Sequence, residues 1–463
     1  MPKINQAIGL QKIISPMVSV VSRKDSLGHI ARLVLSSGFI ILLNLVTGMI
    51  VARTLGPSGR GEQAAILMWS QFFTHLLTMG LPSAMIYTLQ KKLETPERLY
   101  GASILLCIGL GALGVIPALF FVPLWMGDYS KPVIWFAQIL MVTIPLGLLT
   151  FVNNAILQAN NEFGLVNFMR YAMPAGTLLF LLLFLATDTL NPYTSAFSYA
   201  FPTIPIQIWL LMRLAKKIKP VFSKIREPAK KLTSYGFRSY GIDIAGTLSL
   251  HLDQIIVVGM LSPANLGLYV IALSLSRMLS MIQSSINLVL FPKASALNGK
   301  DAVQLTIRIW KCSLITTGLL AAFLAVAAPI VLHLLYGPAY MPAVPVFRIL
   351  LLQVMVTSSA WGLSQAFMAT GRPGTLTLIQ ASMVVLNVPL LLLLIPPFGI
   401  AGAGLALLLT SIIRFIAILV LYNRLLHVPF SHFIYTRADI RWFTNQLKNR
   451  ANREAKSKEG ETG

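Results

Sequence analysis

The stretch ASILLCIGLGALGVIPALFFV, residues 102–122, runs for 21 residues without a charged side chain. A run of about 20 apolar residues crosses the roughly 30 Å hydrocarbon core of a bilayer as a helix. A lipid environment leaves a spanning segment few other choices, because each backbone polar group must find its partner within the protein. Working outward, similar runs lie at 33–51, 64–89, 133–157, 166–186, 195–214, 240–261, 266–291, 309–335, 343–369, 376–395 and 400–421. The short gaps 56–61, 262–265 and 396–399 suit hairpins. With 56% apolar and 11% charged residues, the composition excludes a soluble domain. The expectation is an all-α polytopic membrane protein with twelve spans.

The basic residues assign a side to each loop. With the N-terminus placed inside, 31 of the 37 Lys and Arg fall on the cytoplasmic face. They cluster before the first span, at Lys91, Lys92 and Arg98, through Arg213–Arg238, at 293–311, and in the tail beyond Arg424. Only Arg60 and Lys131 sit clearly in outer loops; Arg53, Arg277, Arg348 and Arg414 lie within or beside spans. This is the positive-inside pattern for an even number of spans with both ends inside. The net charge of +22 then matches anionic lipid at the inner face, each nearby cation contributing about 1 kcal/mol, and requires no nucleic acid. Residues 1–29 lack the apolar region of a cleaved signal peptide, so the first span reads as a retained start-transfer helix. Cys107 and Cys312 both fall in spans, against a disulfide framework.

The longest polar break, 213–238, divides the spans six and six. The expected organisation is a cytoplasmic segment (1–32), a first six-helix lobe (33–214), a basic linker (215–239), a second lobe (240–421) and a basic, partly disordered tail (422–463). Leu55-Gly-Pro57-Ser-Gly-Arg-Gly61 matches Leu261-Ser-Pro263-Ala-Asn-Leu-Gly267 in Leu, Pro and Gly at an offset of 206. A weaker echo pairs 157–163 with 368–373. Because six is even, such repeats are parallel, and a substrate path is expected between the lobes. Prolines at 82, 117, 145, 174, 202, 205, 329 and 389 predict kinks.

VARTLGPSGRGEQA (51–64), GLPSAMIYTL (80–89), LDQIIVVGMLSPANLGLYVIA (252–272) and LYGPAYMPAV (335–344) resemble the polysaccharide-biosynthesis flippases. These form the Wzx-like branch of the multidrug/oligosaccharidyl-lipid/polysaccharide exporter superfamily, and the similarity covers about 33–421. The resemblance implies two six-helix lobes around a central cavity, in a bacterial cytoplasmic membrane. It also implies a cargo of undecaprenyl-diphosphate-linked sugar moved to the outer leaflet, and as partners the polymerase and glycosyltransferases of the same pathway. Some relatives carry fourteen spans, whereas this chain continues into a polar tail.

Ionisable residues at membrane depth are costly and mark functional sites by default. Arg277 lies about 11 residues into its span, roughly 16 Å deep, where a guanidinium suits bidentate contact with a diphosphate. The related lipid II flippases line their cavity with arginines, one on this helix, although by spacing from Pro292 that position falls nearer Leu273 or Ser274. The competing reading is an ion pair with Asp253, at similar depth on the preceding span. Arg53 and Arg348 lie near outer span ends, where snorkelling competes with substrate contact. Arg414 is deeper, and Arg170 stands near the inner entrance. His75 and Asn44 are polar at mid-span, with interhelical hydrogen bonding the ordinary role. Asp243 lies near the inner surface.

The sequence holds no phosphate-binding Gly-Lys loop, metal-ligand cluster or nucleophile–base arrangement, so neither an enzyme nor a cofactor is expected. Three functions compete. A lipid-linked oligosaccharide flippase fits best. A multidrug or cation exporter calls for a deep carboxylate in the early spans, and none is there. A polymerase or ligase calls for a large outer loop, and every outer loop is short. The sidedness has a direct check. A membrane-impermeant maleimide added to intact cells should label a cysteine placed at Ser58. Cysteines placed at Ser223 or Ser457 should react only after permeabilisation, and the reverse pattern would invert the topology.

Overall fold

The computed structural model describes residues 26–295, 299–370 and 373–434. Expectations for residues 1–25, for Arg372 and for the tail from 435 lie outside the described residues. Helix accounts for nearly all of the rest, and no strand occurs among the described residues. The α-helices are α1 (Ser26–Leu76), α2 (Leu81–Gln90), α3 (Pro96–Trp125), α4 (Lys131–Leu140), α5 (Ile144–Ala159), α6 (Phe163–Ala186) and α7 (Pro192–Ala200). They continue with α8 (Thr203–Ile218), α9 (Arg226–Met260), α10 (Pro263–Ser295), α11 (Gly299–Tyr336), α12 (Val344–Ala369) and α13 (Pro373–Leu426).

Seven helices among the described residues are long and apolar enough to cross a membrane. Two of these are folded back or broken rather than straight. The 54 residues of α13 would reach roughly 80 Å as one rod. Instead Gly399, at φ +57°, interrupts it, and the two arms run antiparallel. Thr410 donates to Asn387 Oδ1 at 3.2 Å and Arg414 to Gln380 Oε1 at 3.2 Å, contacts only a reversal between them permits. In α1 the break is at Gly56, φ +66° and ψ −177°, with Pro57 opening the second arm. Both breaks fall in gaps expected to form hairpins. Positive φ is the region where a side chain is disfavoured and glycine is not.

The exposed side chains show which surfaces face lipid. On α11, Leu319, Phe323, Val326, Ile330 and Leu334 are all exposed, up to 79% at Val326. Their spacing of three and four residues forms one stripe along the helix. An apolar stripe of that length is stable against acyl chains, not water. Leu113, Ile116, Phe120 and Leu124 repeat the pattern on α3.

Prolines expected to kink spans divide into two groups. Pro82 and Pro145 sit at the starts of α2 and α5, and Pro202 and Pro205 lie at the break into α8, positions where a missing N–H costs little. Pro117, Pro174, Pro329 and Pro389 lie inside helices. So does Pro123 near the end of α3, and the Leu119 carbonyl it leaves without its helical donor accepts from Gln138 Nε2 at 2.8 Å.

Much of the basic stretch expected as a linker over 215–239 is helical. Helix α8 continues to Ile218, Lys219 caps it in the left-handed conformation, and α9 begins at Arg226. The early start follows from tertiary contacts. Leu232 is fully buried, Tyr235 stacks on Tyr87 with ring centroids 4.2 Å apart, and Lys231 donates to Glu94 at 2.8 Å. The helix then bends by 57° between Arg226–Gly241 and Ile244–Met260.

The two halves of the chain meet most closely where the matched hairpins lie. A Cβ added to Gly61 would fall 1.7 Å from the Pro263 carbonyl oxygen, and one added to Gly267 would fall 1.9 Å from the Pro57 carbonyl oxygen. The contact is reciprocal, and both members of each pair are related by the same offset of 206. Around it, Arg53 Nε donates to Leu335 O at 2.9 Å and its Nη2 to Leu334 O, while Tyr340 donates to Ala52 O at 3.2 Å. Trp125 Nε1 donates to Ile255 O at 2.7 Å. One end of the molecule is therefore sealed by backbone-to-backbone approach between the halves. Gly61→Ala or Gly267→Ala should force the hairpins apart and destabilise the protein by about 1–3 kcal/mol, the usual range for overpacking. A thermal melt of the detergent-solubilised variants checks this, and unchanged melting would mean the close contact does not form.

Candidate functional site

Helix α9 carries the polar centre of the molecule at three consecutive residues, Ser249, Leu250 and His251. Successive side chains on a helix point about 100° apart, so the three positions can meet three different neighbours. Ser249 Oγ accepts from Gln380 Nε2 at 3.2 Å, and Gln380 Oε1 accepts from Arg414 Nη2. Arg414 also stands 4.7 Å over the Trp361 ring, a cation–π contact. The Leu250 carbonyl accepts from Arg277 Nη2 at 3.3 Å. The His251 ring lies 5.3 Å from that of His75 and 6.2 Å from Phe72.

Arg277 and Asp253 do not form the ion pair that their depth made conceivable. Asp253 is 2% exposed and accepts from the Tyr269 hydroxyl at 2.6 Å. Arg277 instead reaches the backbone of α9 and stays half-buried, and no carboxylate among the described residues forms a salt bridge with it. A single neutral carbonyl leaves most of its five donors available to a ligand. Arg414 is more enclosed, yet its Nε has no partner among the described residues.

His75 donates or accepts at Nδ1 with Gln71 O at 2.8 Å and packs edge-on against Phe151 at 5.0 Å. Its helix, the second arm of α1, belongs to the first half of the chain, and His251 to the second. The two imidazoles therefore meet across the interface between halves, and Arg277 of α10 reaches the Leu250 carbonyl on the same stretch of α9. Local sequence offered no sign of a role for His251, which shares its span with Ser249, Asp253 and Gln254; its partner is 176 residues away in the sequence.

The remaining candidates separate from this centre. Arg53 binds the last carbonyls of α11, where a cation also suits the negative end of a helix. Arg348 Nε donates to Ala325 O at 2.9 Å, the carbonyl that Pro329 leaves without its i+4 donor. Both guanidiniums thus complete helix backbones. The Asn44 side chain is exposed and has no hydrogen-bond partner among the described residues. Arg170 is exposed on α6 and lines a cavity of about 400 Å³ with Ser83, Thr150, Phe151, Asn154 and Gln158. Asp243 lies where the helix is described but its side chain is not.

A family model described as "Polysaccharide biosynthesis protein" matches residues 50–345. An uncharacterised membrane protein of Methanocaldococcus jannaschii, MJ1068, is 29% identical over 266 residues, 55% of this chain and 52% of that protein. The chain thus spans about half the length of this curated relative. Among solved structures, the lipid II flippase MurJ in an inward closed conformation is similar with a TM-score of 0.73 at 16% identity, covering 86% of this chain and 88% of that one. An inward-facing multidrug resistance MATE family transporter of the MOP superfamily gives 0.66 at 14% identity, over 82% and 93%. A MOP superfamily transporter from Pyrococcus furiosus, described as having a binding pocket of reverse polarity, gives 0.58 at 15% identity, over 83% and 93%. At these identities the likeness is one of fold.

The Arg348 contact makes a coupled prediction. Arg348→Ala should leave the Ala325 carbonyl unsatisfied and cost roughly 1–3 kcal/mol. In a Pro329→Ala background the helix supplies its own donor, and the same change should cost much less. A double-mutant cycle on thermal stability measures the difference, and equal costs in both backgrounds would break the assignment.

Proposed function

The chain belongs to the polysaccharide biosynthesis protein family, and from that premise we propose that it flips polyprenyl-diphosphate-linked oligosaccharide from the cytoplasmic to the outer leaflet. One observation carries the reading. Arg277 stands half-buried in the middle of an apolar span, with no carboxylate in salt-bridge contact among the described residues, where the two halves of the chain meet. An unpaired cation at that depth is costly unless an anion visits it, and a diphosphate supplies two charges in the geometry a guanidinium recognises. His75, His251 and Arg414 add donors around the same turn of α9.

The polar headgroup would enter this centre between a six-helix lobe on each side, while the lipid tail remains in the bilayer. The Gly61–Gly267 contact closes the end that the basic residues assign to the outside. Alternating access then consists of breaking that seal while the opposite end closes. An anion leaving a cell that is negative inside moves with the potential, at about 2.3 kcal/mol per charge per 100 mV. A dianion gains on the order of 4–5 kcal/mol at 100 mV, so export needs no nucleotide hydrolysis by this chain. The exporter reading is less well served. A cationic drug would meet Arg277 and Arg414 instead of a carboxylate, and Asp253 is buried and already capped by Tyr269.

Reconstitution tests the reading. Proteoliposomes should translocate labelled undecaprenyl-diphosphate-linked oligosaccharide, and Arg277→Ala should lower the rate by about ten- to hundredfold, the worth of a charged hydrogen bond. Undiminished transport by the variant would remove Arg277 from the mechanism. No transport by the wild type would defeat the flippase reading.

A further inference from the structure

The cavity beside α6 is distinct from the cationic centre and has a different chemistry. Two adjacent asparagines on α5 show the contrast. Asn153 is fully buried and fully employed, accepting from Tyr100 and donating to Gln207 at 3.1 and 3.2 Å. Asn154 lines the cavity, and its Oδ1 is buried with no hydrogen-bond partner among the described residues. A buried acceptor left unpaired costs roughly 1–3 kcal/mol, so this atom awaits a donor. Beside it stand the hydroxyls of Thr150 and Ser83, the amide of Gln158 and the guanidinium of Arg170. Ile86, Val166, Met169, Met173 and the Phe151 ring complete an apolar wall.

These features select a ligand. An acyl chain would leave Asn154 Oδ1 unsatisfied, and it would offer nothing to Arg170 or to the Thr150 hydroxyl, which donates to Leu146 O at 3.0 Å and keeps its lone pairs free to accept. An ionised diphosphate has no proton to give that acceptor. A sugar ring does both tasks: its hydroxyls donate to Asn154 and accept from Arg170, and its C–H face lies against Phe151. A volume near 400 Å³ lies within the range of small-molecule sites. The position is also right, because Phe151 is shared. One side lines the cavity and the other meets His75 at 5.0 Å, which in turn meets His251 at 5.3 Å.

We propose that this cavity, between α2, α5 and α6, is a carbohydrate subsite that holds a sugar unit of the cargo while the diphosphate occupies the cationic centre. The assignment of the bound sugar to a cargo rests on the flippase reading; the binding of sugar does not. The test is therefore a binding measurement on the full-length protein in detergent, by saturation-transfer NMR. The probes are soluble glucose, galactose, mannose, rhamnose, N-acetylglucosamine and N-acetylgalactosamine. At least one should bind the wild type, and Asn154→Leu should weaken it at least tenfold. Thr150→Val, a smaller change in an otherwise similar shape, should weaken it in the same direction and guards against a fold defect in the first variant. Absence of binding by all six sugars would overturn the subsite, as would binding that neither substitution alters. Sugar binding of this kind in a protein that fails to translocate lipid-linked oligosaccharide would leave the subsite standing and defeat the flippase reading instead.

Discussion

Two backbone carbonyls, those of Pro57 and Pro263, press against Gly267 and Gly61 across the interface between the halves. The rest of the architecture depends on that approach. Any side chain at either glycine would occupy the space of the opposing carbonyl, so the helices could not come close enough for the surrounding bonds to form. With the glycines in place, Arg53 reaches the end of α11, Tyr340 reaches the end of the first arm of α1, and Trp125 reaches α9. The reciprocity is what a two-fold relation between the halves produces. It also explains why the hairpin is the best-matched segment in the internal repeat: each copy must both offer a carbonyl and receive one.

Between the halves, α9 acts as the shared element. Its beginning leans on α2 through Tyr235 and Tyr87, and its middle collects Gln380, Arg277 and His75 on successive residues. Helical geometry alone makes this possible, since three adjacent side chains or carbonyls face three directions. Charges in an apolar bundle are held either by a backbone acceptor or by an aromatic face. Arg53 and Arg348 are engaged by carbonyls at helix ends and proline breaks. Arg277 has one such contact and Arg414 a glutamine and a tryptophan, which leaves both with capacity for a ligand.

Much of this was legible beforehand. Long uncharged runs such as 102–122 declare helices because lipid offers the backbone no other partner, and glycine gaps at 56 and 399 declare reversals. The depth of Arg277 was equally visible. Its partner was not: Asp253 sits at matching depth, and only packing shows that Tyr269 takes the carboxylate. That the stretch 226–239 is helical was not legible, because its charges obscure the few apolar positions that anchor it. His251, Ser249 and Gln380 carried no local signal, since a polar residue in a span looks the same whether it faces a neighbour, a core or a cavity.

Sequence by itself determined that long apolar helices make up most of the chain, where two of them break, and how the basic residues are distributed between the apolar runs. These follow from properties that are local to each segment: apolar length, glycine at positive φ, and the number of charges between runs. Tertiary structure alone decided which arginines are available. Arg53, Arg277, Arg348 and Arg414 carry the same guanidinium at different depths, and what stands opposite each one decides whether it is engaged. That neighbour is supplied by residues up to 282 positions away, a separation over which local propensity carries no information.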